Sequence, residues 1–350
     1  MKVLKYILVT SVALGLAYAC NEGIDSISKV DPGEDEAAPS ISLTYPNEDI
    51  LIPFTDEQAD VVDIQFEVTD DIELGSVSLS LDGDQLSTYD TFIDYRRYVG
   101  SYEYDGLPVG EHTILISSTD LAGKNSEQSF TFEVSNKYVA KYDGEVFFMP
   151  FEGDLYMDLI TETEATIVGE PTFAAGKSGD AYAGASGSYL SFPIDDLIDG
   201  DGFSATMWYQ LDASPDRAGI ISISPEGEDR TKGIRFFREG SATEQRFKLN
   251  VGNGEVEQWN DGGTAAPSGE WIHLAFTVSE TATVIYINGE VTTSTANAGI
   301  DWTGLTTMSI GSGLPNFAYW GHESDNSLID DLRIYDKALT QDEIKTIIGE

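Results

Sequence analysis

The sequence predicts an all-β protein made of two sandwich domains and closed by a short helix. Three observations carry this expectation. Apolar and polar residues alternate with period two in many runs, the spacing that gives a strand one dry face and one wet face. Glycine is plentiful, at 34 of 350 residues, and turn signals separate the runs. Strand-like stretches far outnumber helical ones, and the length suits two ordinary domains.

The chain begins with a basic start at Lys2 and Lys5, a short apolar core from Ile7 to Leu16, and small residues after it. Residues 1–19 therefore read as a signal peptide, too short to span a bilayer as a mature helix. Two cleavage readings compete. Ala17-Tyr18-Ala19 suits ordinary signal peptidase, whereas Leu16 to Cys20 resembles the lipobox of bacterial lipoproteins. The lipoprotein reading is the one taken. Cys20 is the single cysteine, and a polar, acidic tether over residues 20–38 follows it. The resemblance implies several acyl chains on Cys20, enough for stable anchoring. Glu22, Asp25 and Glu34 to Glu36 in the tether resemble surface-export signals of outer-membrane lipoproteins, which implies a lipid-anchored, surface-exposed location, with secretion as the alternative. No disulfide can form within the chain, so both domains must hold by packing alone.

Residues 39–136 form the first domain. Ile41, Leu43 and Tyr45 alternate with polar residues, as do Val62, Ile64, Phe66 and Val68. Val77, Leu79 and Leu81 alternate with serines, and Phe130, Phe132 and Val134 close the series. Asp82-Gly83 and Asp105-Gly106 are expected at turns. With Asp70-Asp71 and the run Thr119 to Lys124, this region resembles the immunoglobulin-like modules of bacterial surface proteins. That resemblance implies a spacer.

Residues 140–350 form the second domain. Strands are expected at Val146–Phe151, Tyr189–Phe192, Phe203–Leu211, Gly219–Ile223, Ile234–Arg238, Arg246–Val251, Trp271–Val278, Thr283–Ile287, around Met308, and at Leu328–Tyr335. Asn288-Gly289 is a strong hairpin signal. Thr340 and Glu343 form a capping box before Ile344, Ile347 and Ile348, whose common face should dock on the sandwich edge. An ordered set of motifs carries a second resemblance: Phe151-Glu152-Gly153, Gly176 to Ala181, Phe203 to Trp208, Gly269 to Ala275, Ile285 to Gly289, and Ile329 to Leu339. Together they resemble the laminin-G-like, concanavalin A-like jelly roll of bacterial glycan-binding proteins. The resemblance implies two antiparallel sheets, often a bound calcium ion, and often a carbohydrate ligand.

Charge narrows the partners. The formal net charge is −42, and two units more negative without Lys2 and Lys5, which excludes nucleic acid. No catalytic motif is found. There is no E-x-D-x-x-E strand, no G-x-S-x-G, and no metal-binding spacing among His112, His273 and His322. All five tryptophans lie in the second domain. Trp208 and Trp271 fall in structural motifs, whereas Trp259, Trp302 and Trp320, with Tyr319, fall in loop-like stretches. Sugars need such aromatic platforms beside forked polar groups. Six cations lie between Arg230 and Lys248, and Arg235 and Arg246 are taken as ligand residues for a uronate or sulfate. Charge balance against Glu239 and Glu244 is the competing account of this basic stripe. For calcium, which the resemblance implies, the ligand candidates are Glu152 and Asp330. Asp199-Gly200-Asp201-Gly202 reads as a turn. The expected function is a cell-surface lipoprotein that binds polysaccharide or oligosaccharide without catalysis. The alternatives are an adhesion or scaffold protein that binds neighbouring surface proteins, and a glycoside hydrolase or lyase with an unrecognised site.

Overall fold

The computed structural model describes residues 33–198, 202–263 and 268–349. The signal peptide, Cys20, the tether up to residue 32 and Asp199 to Asp201 lie outside the described residues. By internal packing the chain falls into two compact units. Residues 57–135, with the segment ending at Ile52, form one, and residues 136–349, with Pro53–Asp56, form the other.

The first unit contains β1 (Ser40–Tyr45), β2 (Ile50–Leu51), β3 (Gln58–Thr69), β4 (Leu74–Leu81), β5 (Asp84–Tyr89), β6 (Arg97–Pro108), β7 (Gly110–Asp120) and β8 (Asn125–Ser135). They form a three-stranded sheet, β1-β3-β6, and a five-stranded sheet, β2-β8-β7-β4-β5. The alternating residues meet between the sheets. Ile64, Phe66, Val68, Val77, Leu79, Ile114, Ile116 and Val134 are fully shielded from water. Asp82 and Gly83 turn the β4–β5 hairpin with φ of 52° and 89°, as the dipeptide predicts. Asp105-Gly106 is not a turn. It lies inside β6, whose partner β3 runs continuously past it. Tyr45 leaves the expected apolar face because the ladder shifts register between Leu43 and Tyr45.

The second unit begins with β9 (Glu145–Met149), β10 (Met157–Asp158), β11 (Thr163–Glu164), β12 (Thr166–Val168), β13 (Thr172–Ala175), β14 (Asp180–Ala183), β15 (Tyr189–Pro193) and β16 (Phe203–Gln210). It continues with β17 (Arg217–Ile223), β18 (Lys232–Ser241), β19 (Glu244–Asn253), β20 (Glu257–Asn260), β21 (Trp271–Val278), β22 (Ala282–Ile287), β23 (Glu290–Ala296), β24 (Thr307–Ile310) and β25 (Leu328–Tyr335), and ends in the helix α1 (Gln341–Ile348).

Two large sheets face each other. One is seven-stranded, in the order β12-β15-β24-β17-β18-β19-β20. The other is eight-stranded, β13-β14-β25-β16-β21-β22-β23, with β9 also paired to β25. Alternate residues of each strand enter the core between them. On β16 these are Phe203, Ala205, Met207 and Tyr209, and on β19 they are Phe247, Leu249 and Val251. Each fully buried large apolar side chain contributes roughly 1.5–3 kcal/mol. This is a concanavalin A-like jelly roll.

Helix α1 starts at the predicted capping box. The Thr340 side chain accepts from the Glu343 N–H, and the Glu343 carboxylate accepts from the Thr340 N–H. Ile344 packs on Ala275, Tyr286 and Tyr335, so the helix docks on the outward side chains of β21, β22 and β25 rather than on an edge. The opposite outer surface, that of the seven-stranded sheet, is where the candidate site lies.

Candidate functional site

Strand pairing builds the floor of the site. Arg235, Phe237 and Glu239 alternate along β18 with Ile234 and Phe236, which enter the core. Across β18–β19, Arg235 faces Asn250, Phe237 faces Lys248, and Glu239 faces Arg246. Across β19–β20, Asn250 faces Trp259. One outer surface therefore carries an aromatic, cationic and acidic set from three neighbouring strands.

The loop between β24 and β25 folds over this floor and brings Phe317, Tyr319, Trp320 and His322. Its two ends are tied together, since the Asp325 N–H donates to the Gly311 carbonyl at 2.8 Å. A buried network then fixes it to the sheet. Arg238 donates to Asp325 through Nη2 at 2.8 Å and Nε at 3.1 Å, and to the Pro215 carbonyl at 2.7 Å. Tyr209 donates to the other Asp325 oxygen, and the Ser327 hydroxyl donates to Asp325 at 2.8 Å.

The result is a cleft of about 430 Å³ lined by Arg217, Phe237, Glu239, Lys248, Trp259, Asp261 and Trp320. The two indoles are half-buried and stacked, with centroids 5.6 Å apart and planes 30° from parallel. Phe237 meets Trp259 edge-on at 6.2 Å. The Arg230 guanidinium lies 4.7 Å over the Trp320 ring and is held in a fork by Glu257 at 2.5 and 3.0 Å. This arrangement fixes the platform without using the cleft charges.

Those charges are matched among themselves. The Lys248 ammonium lies 2.7 Å from Glu239 and 3.3 Å from Asp261, and Arg217 lies 3.6 Å from Glu239. Burial works to raise the Glu239 pKa. The hydrogen bond and charge of Lys248, with Arg217 and His322, outweigh it and hold the carboxyl below its ordinary range. His322 is 1% exposed, stacks on Phe317 at 4.9 Å, and brings Nε2 to 3.4 Å from Glu239. Burial pushes its pKa down to about 4, so the ring is neutral.

The structure brings Trp259, Trp320 and Tyr319 together, with Trp259 on strand β20 rather than in the expected loop. Tyr319 meets the Trp320 ring edge-on at 5.2 Å. Trp302 is elsewhere. It packs against the core beside Phe203 and lines a separate cleft with Val278 and Ile300.

Of the two arginines taken as ligand residues, Arg235 does not present itself to an anion. Arg235 is 1% exposed and donates to the Lys232 and Asp229 carbonyls and to Asn250. Arg246 is exposed at the hairpin end, against Glu244 at 3.2 Å. The sequence places Lys248 in the basic stripe and Glu239 as its balancing charge, and gives no sign of Arg217, Asp261 or His322 at a cleft. The alternation along β18 and β19 places Glu239 and Lys248, but the others depend on long-range folding.

Glu152 and Asp330 also meet, around the turn at 176–180. Asp330 accepts from the Lys177 and Ser178 N–H groups at 2.8 and 3.1 Å, and Glu152 accepts from the Asp180 N–H at 3.1 Å. Calcium takes six to eight oxygen ligands. Among the described residues, no group of three or more His, Cys, Asp or Glu is placed to hold a metal ion. The pair acts as a clamp on the turn, and its two carboxylates are only part of the six to eight oxygens calcium takes.

Comparison with known proteins agrees with this architecture. Residues 184–345 match Laminin_G_3, of the concanavalin A-like lectin/glucanases superfamily. The fold of this domain is thus lectin-like. No curated protein matches the chain. Among solved structures, the chain is similar to domain 4 of AbnA, a GH43 extracellular arabinanase from Geobacillus stearothermophilus, in complex with arabinotriose. The identity is 24%, over 58% of this chain and 98% of that one, with a TM-score of 0.46. It is also similar to the receptor-binding domain of botulinum neurotoxin C/D mosaic serotype, at 15% identity over 59% of this chain and 51% of that one, with a TM-score of 0.44. The chain thus spans about half of the toxin domain.

Proposed function

We propose that the second domain binds carbohydrate without turning it over, in the Trp259–Trp320 cleft. The stacked indole pair beside a ring of polar groups carries this reading. Indole surfaces suit the C–H faces of sugars, and the carboxylates and ammonium around them suit hydroxyls. Because the cleft charges are matched internally, the ligand is a neutral glycan rather than a uronate. A carboxylate entering here would compete with Glu239 and Asp261 for Lys248.

The same pairing argues against hydrolysis. A glycosidase needs one carboxyl with a raised pKa as its acid. Glu239 is held low by its cations instead. The protein is further read as a lipoprotein anchored through Cys20 and displayed on the outer surface of the cell. In that reading the first domain is an immunoglobulin-like spacer.

Affinity electrophoresis of residues 38–350 in neutral polysaccharides tests the cleft, with a reducing-end assay alongside. Retardation is expected in at least one neutral polysaccharide, lost in Trp320→Ala and Trp259→Ala, and with no reducing ends released. Retardation that both variants retain would overturn the site. Capture of a specific protein with no glycan retained would favour the adhesion reading.

A further inference from the structure

We infer that the outer face of the eight-stranded sheet carries a second cleft, built for a sugar acid. This inference is independent of how the Trp259–Trp320 cleft is read. The second cleft has a volume of about 290 Å³ and is lined by Lys177, Ser178, Trp208, His273, Asp331 and Arg333, with Ile347 of α1. Trp208 and His273 are direct partners across β16 and β21, with rings 5.4 Å apart and nearly perpendicular.

The Lys177 ammonium points to a ligand here. Lys124, Lys137, Lys232, Lys248, Lys337 and Lys345 each lie within 4.0 Å of a carboxylate. In a chain with 61 acidic residues, such pairing is easily met. Lys177 is exposed, and its ammonium lies instead 4.6 Å over the Trp208 ring. A cation on an indole face keeps its capacity for an anion while staying ordered.

His273 closes the wall beside Trp208 and, at 2% exposed, shapes the cleft rather than meeting a ligand. Arg333 adds no free charge, because Glu145 and Tyr138 hold its guanidinium. A sugar acid fits the remaining groups. Its carboxylate pairs with Lys177, and its hydroxyls reach Ser178 beside Trp208.

Calorimetry on the full chain, with a short oligogalacturonate and its methyl ester, tests this. The acid should bind, and the ester about tenfold more weakly, because it lacks the charge that Lys177 meets. Lys177→Gln, at an exposed position that leaves the core intact, should weaken the acid about tenfold. Trp320→Ala should leave acid binding unchanged. Three results overturn the proposal: no binding of the acid, equal affinity for acid and ester, or binding that Trp320→Ala removes and Lys177→Gln does not. The last would move acid binding to the other cleft. Loss of neutral-glycan binding alone would leave this proposal standing.

Discussion

Arg238 and Asp325 form an ion pair sealed from water, with side chains 0% and 1% exposed and Nη2–Oδ1 at 2.8 Å. The pair joins β18 to the loop that carries Trp320. Asp325→Ala would leave a guanidinium buried among neutral partners. Breaking one half of a buried pair typically destabilises by about 3–5 kcal/mol. Urea unfolding of the variant should show a loss of that size. Arg238→Met with Asp325→Leu should lose less, since no charge is then stranded. Equal losses in the single and double variants would show that the pair is merely packing.

Much of the fold is legible in the sequence because alternation is local. Most long strands follow from period-two runs, and α1 follows from Thr340 and Glu343, but β6, β7 and β23 are not among the expected strands. The short strands β10 to β14 escaped, since two to four residues carry too little periodicity. Asp105-Gly106 gives a turn signal although Gly106, with φ of 68°, sits inside a continuous strand. The site was half legible. Trp259 and Trp320 stood out as aromatics in polar stretches. Their meeting depends on Asp325, 87 residues from Arg238, and no local pattern reports such a contact. Arg235 was misread for the same reason, because Asn250 and the Asp229 carbonyl, which hold it, are supplied by folding.

Three buried groups should shape stability against pH. Burial raises the Asp330 carboxyl to about 7 from 3.8. The folded state then keeps a proton that the unfolded chain releases, so the contribution is full below about pH 4 and lost as pH rises through 7. Burial lowers His273 and His322 to about 4 from 6.5. Their contribution is present above pH 6.5 and lost as pH falls through 4. The opposed slopes separate by mutation. Wild type should lose stability relative to Asp330→Asn between pH 4 and 7, measured by denaturant titration. The slope should be the same in chelator and in calcium. A slope that calcium abolishes would restore a cation at Asp330, because an ion favours the ionised carboxyl.

The α1 cap gives a smaller effect. Thr340→Ala removes the side-chain acceptor for the Glu343 N–H and should destabilise by about 1 kcal/mol. Lys337 and the Thr340 N–H hold Glu343 down to about 2 from 4.5. Its share is present above pH 4.5 and lost as pH falls through 2. Hydrogen exchange of the α1 amides should therefore rise in the variant at neutral pH. Unchanged protection would mean that Ile344 packing alone fixes the helix.

The turn clamp makes the last prediction, and a double variant decides it. Gly179 has φ of +57°, and a Cβ built there would run into the Glu152 carboxylate. Two penalties should follow in Gly179→Ala. The left-handed backbone costs an alanine about 1–2 kcal/mol. The collision adds to this, because Glu152 must swing away and release the Asp180 N–H that it accepts from at 3.1 Å. Glu152→Ala removes the obstacle and leaves only the backbone term. In that background Gly179→Ala should therefore destabilise by about 1–2 kcal/mol, less than in wild type. The test is a thermodynamic cycle from four urea titrations. Additive effects would show that Glu152 does not press on the turn. A coupling of opposite sign would show that the carboxylate supports the alanine backbone instead of opposing it.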